Sequence, residues 1–251
     1  MSELTPLLDP TLPTQIRRPR RRVDVLPACQ LQHIQRTAPR GVTSCIADVT
    51  VTSTGALNFP QLLLAAITRI EPGSGFPRQH HAGIELLTVM LSGTVALEDS
   101  ITGRELVGSD DVTVLSTGSG VDHEDVALAG DPVFAVVFWV RSPAAPASYA
   151  RRTIPRIERL NGLRLVASHD PPTPDVLAVN APVTLHTGVL AVDVELTYQL
   201  PARRRAYVIS TLGAITVDGV AAEAGDRVQI RGSGAVRIRA VQSTELVVLT
   251  A

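Results

Sequence analysis

Aromatic side chains are scarce in this chain of 251 residues, with one tryptophan, three tyrosines and four phenylalanines. So few rings leave little with which to stack bases, which argues against a single-strand nucleic-acid binder. Cysteine is nearly absent. Cys29 and Cys45 are the only two, form no C-x-x-C pair and make no disulfide framework, and a reducing cytoplasm suits such a chain. Neither sign of charge is in excess. A net charge of -1 gives no overall field to draw nucleic acid or an anionic membrane. Long apolar runs are missing as well. The longest, Val133 to Val140, is far too short to span a bilayer as a helix, and the N-terminus lacks the apolar core of a signal peptide. These absences lead us to expect a soluble, cytoplasmic protein with no membrane partner.

What is present is material for a core. Hydrophobic residues make up 45% of the chain and charged ones 19%, and the length suits one large or two ordinary domains. Residues 1–22 carry Pro6, Pro10, Pro13 and Pro19 and end in a run of arginines. They are expected to be a solvated, flexible leader, although a basic run of this kind also suits an acidic partner. From Val23 the pattern turns strand-like, with short runs of Val, Ile, Leu and Thr between Gly, Asp and Ser turns. The segment Ser142-Pro143-Ala144-Ala145-Pro146-Ala147 is a linker by composition. A helical turn is expected near Ser148 to Arg152. After Leu163 the strand pattern resumes. Gly93 to Leu97 followed by Asp110-Asp111-Val112 reads like Gly213 to Val217 followed by Gly225-Asp226-Arg227, which suggests two copies of one unit. The expected organisation is all-β, with two β-barrel, jelly-roll-like domains over residues 23–145 and 146–251.

Three of the six histidines cluster beside acids in the first half. One cluster runs through Gln79-His80-His81 to Glu85, the other is His123-Glu124-Asp125. Residues i and i+2 of a strand share a face. Gln79 and His81 therefore point one way, and His123 and Asp125 point one way. If those faces meet inside one barrel, two imidazoles and a carboxylate converge. Such a set suits non-haem Fe(II) or another divalent ion. The opposite parity would turn His80 and Glu124 inward instead. Glu85, four residues after His81, matches the first parity.

The order of motifs resembles the pirin family of bicupins. It runs through Phe59-Pro60-Gln61-Leu62, Glu71-Pro72-Gly73-Ser74-Gly75-Phe76, His81, Gly83-Ile84-Glu85, Leu91-Ser92-Gly93 and Gly118-Ser119-Gly120-Val121-Asp122-His123. A looser likeness to the second cupin of bacterial pirin-like proteins rests on Arg205-Ala206-Tyr207-Val208, Val217-Asp218-Gly219 and Gly225-Asp226. The resemblance implies two facing barrels with one metal in the first. The second half holds His169 and His186 but no His-x-His pair, and is expected to be metal-free. The resemblance also implies a ligand set of one His-x-His pair and one His-x-Glu pair. Some bacterial members open flavonols with dioxygen, while animal members are linked to transcriptional regulation.

This chain departs from that pattern. The family's first histidine falls on Gln79, and its glutamate falls on Asp125. One imidazole is thus replaced by an amide, and one carboxylate is shortened by a methylene, roughly 1.5 Å of reach. The first reading is a metal-dependent oxygenase acting on an aromatic or enolic small molecule. Its divalent metal, Fe(II) or another, sits on Gln79, His81, His123 and Asp125, with Glu85 or Glu124 as base. The second is a metal-free isomerase or cyclase using His81, His123, Asp125 and Glu85 for proton transfer. The third is a non-enzymatic regulatory or binding protein, for which composition argues against direct nucleic-acid binding.

Overall fold

Runs of β-branched and aliphatic residues, broken every few positions by Gly, Asp or Pro, give a chain built almost wholly of strands. The structure is a computed structural model that describes residues 21–38, 41–49, 59 and 61–251. In chain order the strands are β1 (Arg22–Leu26), β2 (Gln32–Ala38), β3 (Gly41–Val49), β4 (Leu62–Ile70), β5 (Gly75–His81) and β6 (Ile84–Ser92). They continue as β7 (Thr94–Asp99), β8 (Gly103–Gly108), β9 (Asp111–Ser116), β10 (Val121–Ala127), β11 (Val133–Arg141) and β12 (Ser148–Thr153). The second half holds β13 (Arg164–Ser168), β14 (Leu177–Ala178), β15 (Thr184–Leu190), β16 (Glu195–Leu200) and β17 (Arg205–Ser210). Then come β18 (Ile215–Val217), β19 (Val220–Ala222), β20 (Arg227–Arg231), β21 (Gly234–Ala240) and β22 (Thr244–Thr250).

Each barrel pairs a seven-stranded sheet with a four-stranded one. The first barrel uses β12-β9-β6-β11-β4-β3-β2 against β5-β10-β7-β8. The second uses β1-β20-β17-β22-β15-β13-β14 against β16-β21-β18-β19. From β4 to β11 and from β15 to β22 the two orders are the same, so the faint sequence repeat corresponds to a repeated topology, while the edges differ, β2 pairing antiparallel with β3 and β14 parallel with β13.

The seven-stranded sheets lie face to face. Leu87, Val136 and Phe138 from the first share one apolar cluster with Leu185, Tyr207, Ile209 and Val247 from the second. The rings of Phe59 and Phe138 both meet Tyr207 edge-on, at 6.0 and 6.3 Å between centroids. Burial of large side chains at roughly 1.5–3 kcal/mol each makes this interface a main source of stability.

The domain boundaries expected from composition are corrected by the strand pairing. β1 does not belong to the first barrel, since it pairs with β20 of the second, Arg22 opposite Arg231. β12 lies beyond the linker yet pairs with β9 of the first barrel, Ser148 opposite Ser116. It also stands where a helical turn was expected. In both cases a strand edge with unpaired N–H and C=O groups recruits the segment that reaches it, and this outweighs local propensity. Of the expected leader, residues 1–20 lie outside the described residues. Arg21 and Arg22 are held: Arg21 donates to Asp218 at 2.6 Å and to the Ser233 carbonyl at 3.1 Å, and Arg22 donates to Asp24 at 2.6 Å.

The barrels differ inside. Leu190, Tyr198, Val208, Val236 and Ile238 fill the second. The first retains a cavity between its sheets. Among the described residues no helix is long and apolar enough to cross a membrane.

Candidate active site

The cavity measures about 160 Å³ and is lined by alternate residues of several strands, such as Leu86, Thr88 and Met90 on β6 and Ala135, Val137 and Trp139 on β11. Its polar edge comes from β5 and β10, which run antiparallel with Gln79 opposite His123. Gln79, His123 and Asp125 all line it. His81 stands at the same edge, its ring centroid 4.9 Å from that of His123 and 4.8 Å from that of Trp139.

A bulge sets this arrangement. Between Gln79 and Phe76 the register of β5 slips, so that Pro77 and Arg78 together oppose Glu124. Proline has no N–H for the ladder, and bulges are where a strand accommodates it. The extra residue lets Phe76 and Gln79, three apart, face the same cavity. Just before the bulge the strands approach closely. A Cβ on Gly75 would fall 1.9 Å from the Asp125 carbonyl oxygen.

Burial dominates the electrostatics. The His81 pKa falls to about 4, first because burial disfavours the cation and then through the His123 and His80 charges. His123 is 6% exposed, and its pKa is lowered by burial against a smaller opposing pull from Asp99. Both rings are neutral near pH 7, the form that ligates metal. Burial, helped by the Glu124 charge, raises Asp125 to about 6. Its side chain keeps 24% of its surface accessible, and that part borders the cavity. Asp125 Oδ2 lies 3.8 Å from His123 Nδ1, beyond a hydrogen bond.

Several buried polar atoms have no partner among the described residues: Nε2 of His81 and both ring nitrogens of His123. Buried imidazole nitrogens are ordinarily satisfied. An orphaned pair beside a carboxylate fits a divalent metal in kind. The fit is carried by the histidine pair. Among the described residues no three His, Cys, Asp or Glu side chains gather closely enough to hold an ion by themselves, consistent with the amide at Gln79 and the shortened acid at Asp125.

His80 and two acids lie elsewhere. His80 points outward and pairs through Nδ1 with Asp122 Oδ1 at 2.8 Å. Glu85 is corrected: it is fully buried, but at the interface between the barrels. There it accepts from Asn180 N at 2.9 Å, Asn180 Nδ2 at 3.0 Å, Ala181 N at 2.7 Å and the Ser116 hydroxyl. Parity does not carry from His81 to Glu85, because Gly83 at φ 69° turns the chain from one sheet into the other. Glu124 is also corrected. It stands opposite Glu98 of β7, between the two β10 residues that line the cavity, and so faces away from it. Trp139 went unnoticed in the sequence. The signal was alternation within the run Val133 to Val140, read there only as a strand.

Two facing barrels of this topology, one filled and one hollow with an imidazole pair at its rim, define a bicupin. Residues 55–140 match the family model described as Pirin, and residues 165–250 match the quercetinase C-terminal cupin domain. The chain belongs to the pirin family. A pirin-like protein of Caulobacter vibrioides is 26% identical over 72% of this chain and 79% of its own length. A quercetin 2,3-dioxygenase of Escherichia coli is 28% identical over 70% of this chain and 76% of its own. The crystal structure of the bacterial pirin YhhW from Escherichia coli in complex with nickel(II) covers 91% of this chain and 98% of its own. Its TM-score is 0.79 at 23% identity, which establishes likeness of fold.

Proposed function

We propose that the chain is a pirin-family enzyme whose first barrel binds a divalent metal and acts on a phenolic or enolic small molecule. The supporting observation is the set of buried, unpartnered ring nitrogens, Nε2 of His81 and both of His123, at the edge of an apolar cavity. These two would hold the metal, with Asp125 as the nearest anionic group and Gln79 as a neutral oxygen donor. Relatives named as quercetin 2,3-dioxygenases and a relative structure holding nickel(II) support the same reading. A metal there supplies Lewis acidity towards an enolate or phenolate oxygen and, as iron, redox chemistry towards dioxygen. The chain's own contribution is a dry wall that excludes water and presents the substrate edge-on to the histidines.

The test is elemental analysis of untagged protein after anaerobic loading with Fe(II), Ni(II) or Mn(II), followed by oxygen-uptake measurements with phenols and enols. Near one metal per chain, lost in His81→Ala and His123→Ala, is the expected result. No retained metal under any loading overturns it.

A second reading is favoured by the 3.8 Å approach of Asp125 to His123, together with the absence of a three-residue ligand cluster among the described residues. In it the acid and the imidazole shuttle a proton on a substrate held in the same cavity, without metal. Activity that survives exhaustive chelation would select this reading over the first.

A further inference from the structure

An apolar cavity of roughly 150 Å³ holds one benzene ring, whereas sites for drug-sized ligands run from about 300 to 1,000 Å³. At about 160 Å³, this cavity suits one ring and is too small for the three rings of a flavonol.

Its deeper wall carries a polar device that the metal reading does not use. Thr88 on β6 and Thr113 on β9 are direct cross-strand partners, and both line the cavity. No protein group among the described residues hydrogen-bonds to either hydroxyl. Cβ atoms of such partners stand about 4.5–5.5 Å apart, so two hydroxyl-bearing side chains stand together on a wall that carries one further hydroxyl residue, Thr68 of β4. Neither hydroxyl is among the buried polar atoms closed off without a partner, so both open onto the cavity, where a ligand oxygen can meet them. Their position is also defined. Leu86 is the register partner of Trp139, whose ring touches His81, and Thr88 lies two residues further along the same strand. That step is about 7 Å into the barrel.

We propose that the site takes a single-ring phenol or enol bearing a second oxygen acceptor across the ring from the first, received jointly by Thr88 and Thr113. The inference rests on the reading that the first oxygen sits at His81 and His123. A phenol with a para-acyl group has that reach, and its ring fills the space between.

The test uses calorimetric titration of the metal-loaded protein with para-hydroxyacetophenone and with para-ethylphenol, which has the same shape but no carbonyl. The quantity read is the ratio of the two affinities. In Thr88→Val and Thr113→Val the preference for the carbonyl compound should fall by about 2- to 10-fold, the worth of one neutral hydrogen bond. The affinity for para-ethylphenol should hold, which also shows that the cavity is intact. An unchanged ratio overturns the role of the hydroxyls. Failure of both phenols to bind at millimolar concentration overturns the proposed ligand class. So does quercetin binding as tightly as para-hydroxyacetophenone. His81→Ala separates this from the underlying reading: if it leaves both affinities unchanged while the threonine variants still shift the ratio, the histidine pair is not the first oxygen's site and the hydroxyl pair stands.

Discussion

The ring of His81 meets the ring of Trp139 edge to face, 4.8 Å between centroids, and Trp139 is the only tryptophan of the chain. Its fluorescence is therefore a local reporter on the histidine pair. Titration with Ni(II) should quench it saturably. His81→Ala and His123→Ala should each weaken the apparent metal affinity by at least about 10-fold, since even an indirect partner of a metal ligand is worth 10- to 100-fold. Fluorescence that ignores excess Ni(II) would place any bound metal elsewhere.

Gly75 is where β5 and β10 approach most tightly at this edge. A methyl there meets backbone, the Asp125 carbonyl at 1.9 Å, and backbone gives way only by moving. Gly75→Ala should cost about 1–3 kcal/mol or more, as overfilling does, and should displace Asp125 from the cavity edge. Gly108→Ala in the same sheet meets only the Thr94 hydroxyl, at 3.7 Å, and is the control. Urea midpoints of the two variants should separate clearly, and equal midpoints would mean that β10 yields at no cost.

Glu85 is a tie between barrels rather than a base. Removing its carboxylate strands Asn180 N and Ala181 N, which it accepts at 2.9 and 2.7 Å, in a buried interface. Glu85→Ala should lower stability by about 3–5 kcal/mol, the usual loss when one side of a buried charged network goes. Ligand affinity in the folded fraction should hold. Were Glu85→Ala to abolish turnover while leaving the urea midpoint in place, the acid would have to be returned to the chemistry.

Acid should destabilise the protein through His186, which lies in the second barrel away from the cavity. Burial lowers its pKa from 6.5 to about 4, its ring rests on Tyr198 at 5.3 Å, and its Nδ1 has no partner among the described residues. Between those two pH values the unfolded chain binds the proton and the folded one does not, so stability rises with pH. The contribution is fully present above pH 6.5 and drains away as pH falls towards 4, up to about 3 kcal/mol. Thermal melts across that window should lose part of their slope in His186→Leu, the rest belonging to His81, His123 and Asp125, whose pKa values burial also shifts. A slope that His186→Leu leaves unchanged would show that this imidazole titrates alike in the folded and unfolded chain.

Much of the site was legible because strand parity is a local rule. Gln79 and His81 share a face by their spacing, as do His123 and Asp125, and the spacing survives in β5 and β10 because the bulge at Pro77 lies before Gln79. What could not be read is whatever depends on where a strand ends. Glu85 matched His81 in count, but the turn at Gly83 restarts the count in a different sheet. Trp139 carried no charged or metal-ligating atom to single it out, and only its pairing with Leu86 brings it to the histidines. The halves of the fold were visible in the Gly-led repeat. The ownership of β1 and β12 was not, since pairing of a sheet edge depends on what lies across space from it.

That exchange of edges bears on how the chain is made. β1 is among the first described segments to be synthesised, yet its partner is β20, Arg227–Arg231, among the last. On a ribosome the second barrel cannot close its outer edge until nearly all of the polypeptide has emerged. The N-terminal strand must wait beside a first barrel that is itself unfinished until β12 arrives. The last residues to appear therefore complete a structure begun by the first: the first barrel can close once β12 has emerged, whereas the second must take back a strand made before either barrel.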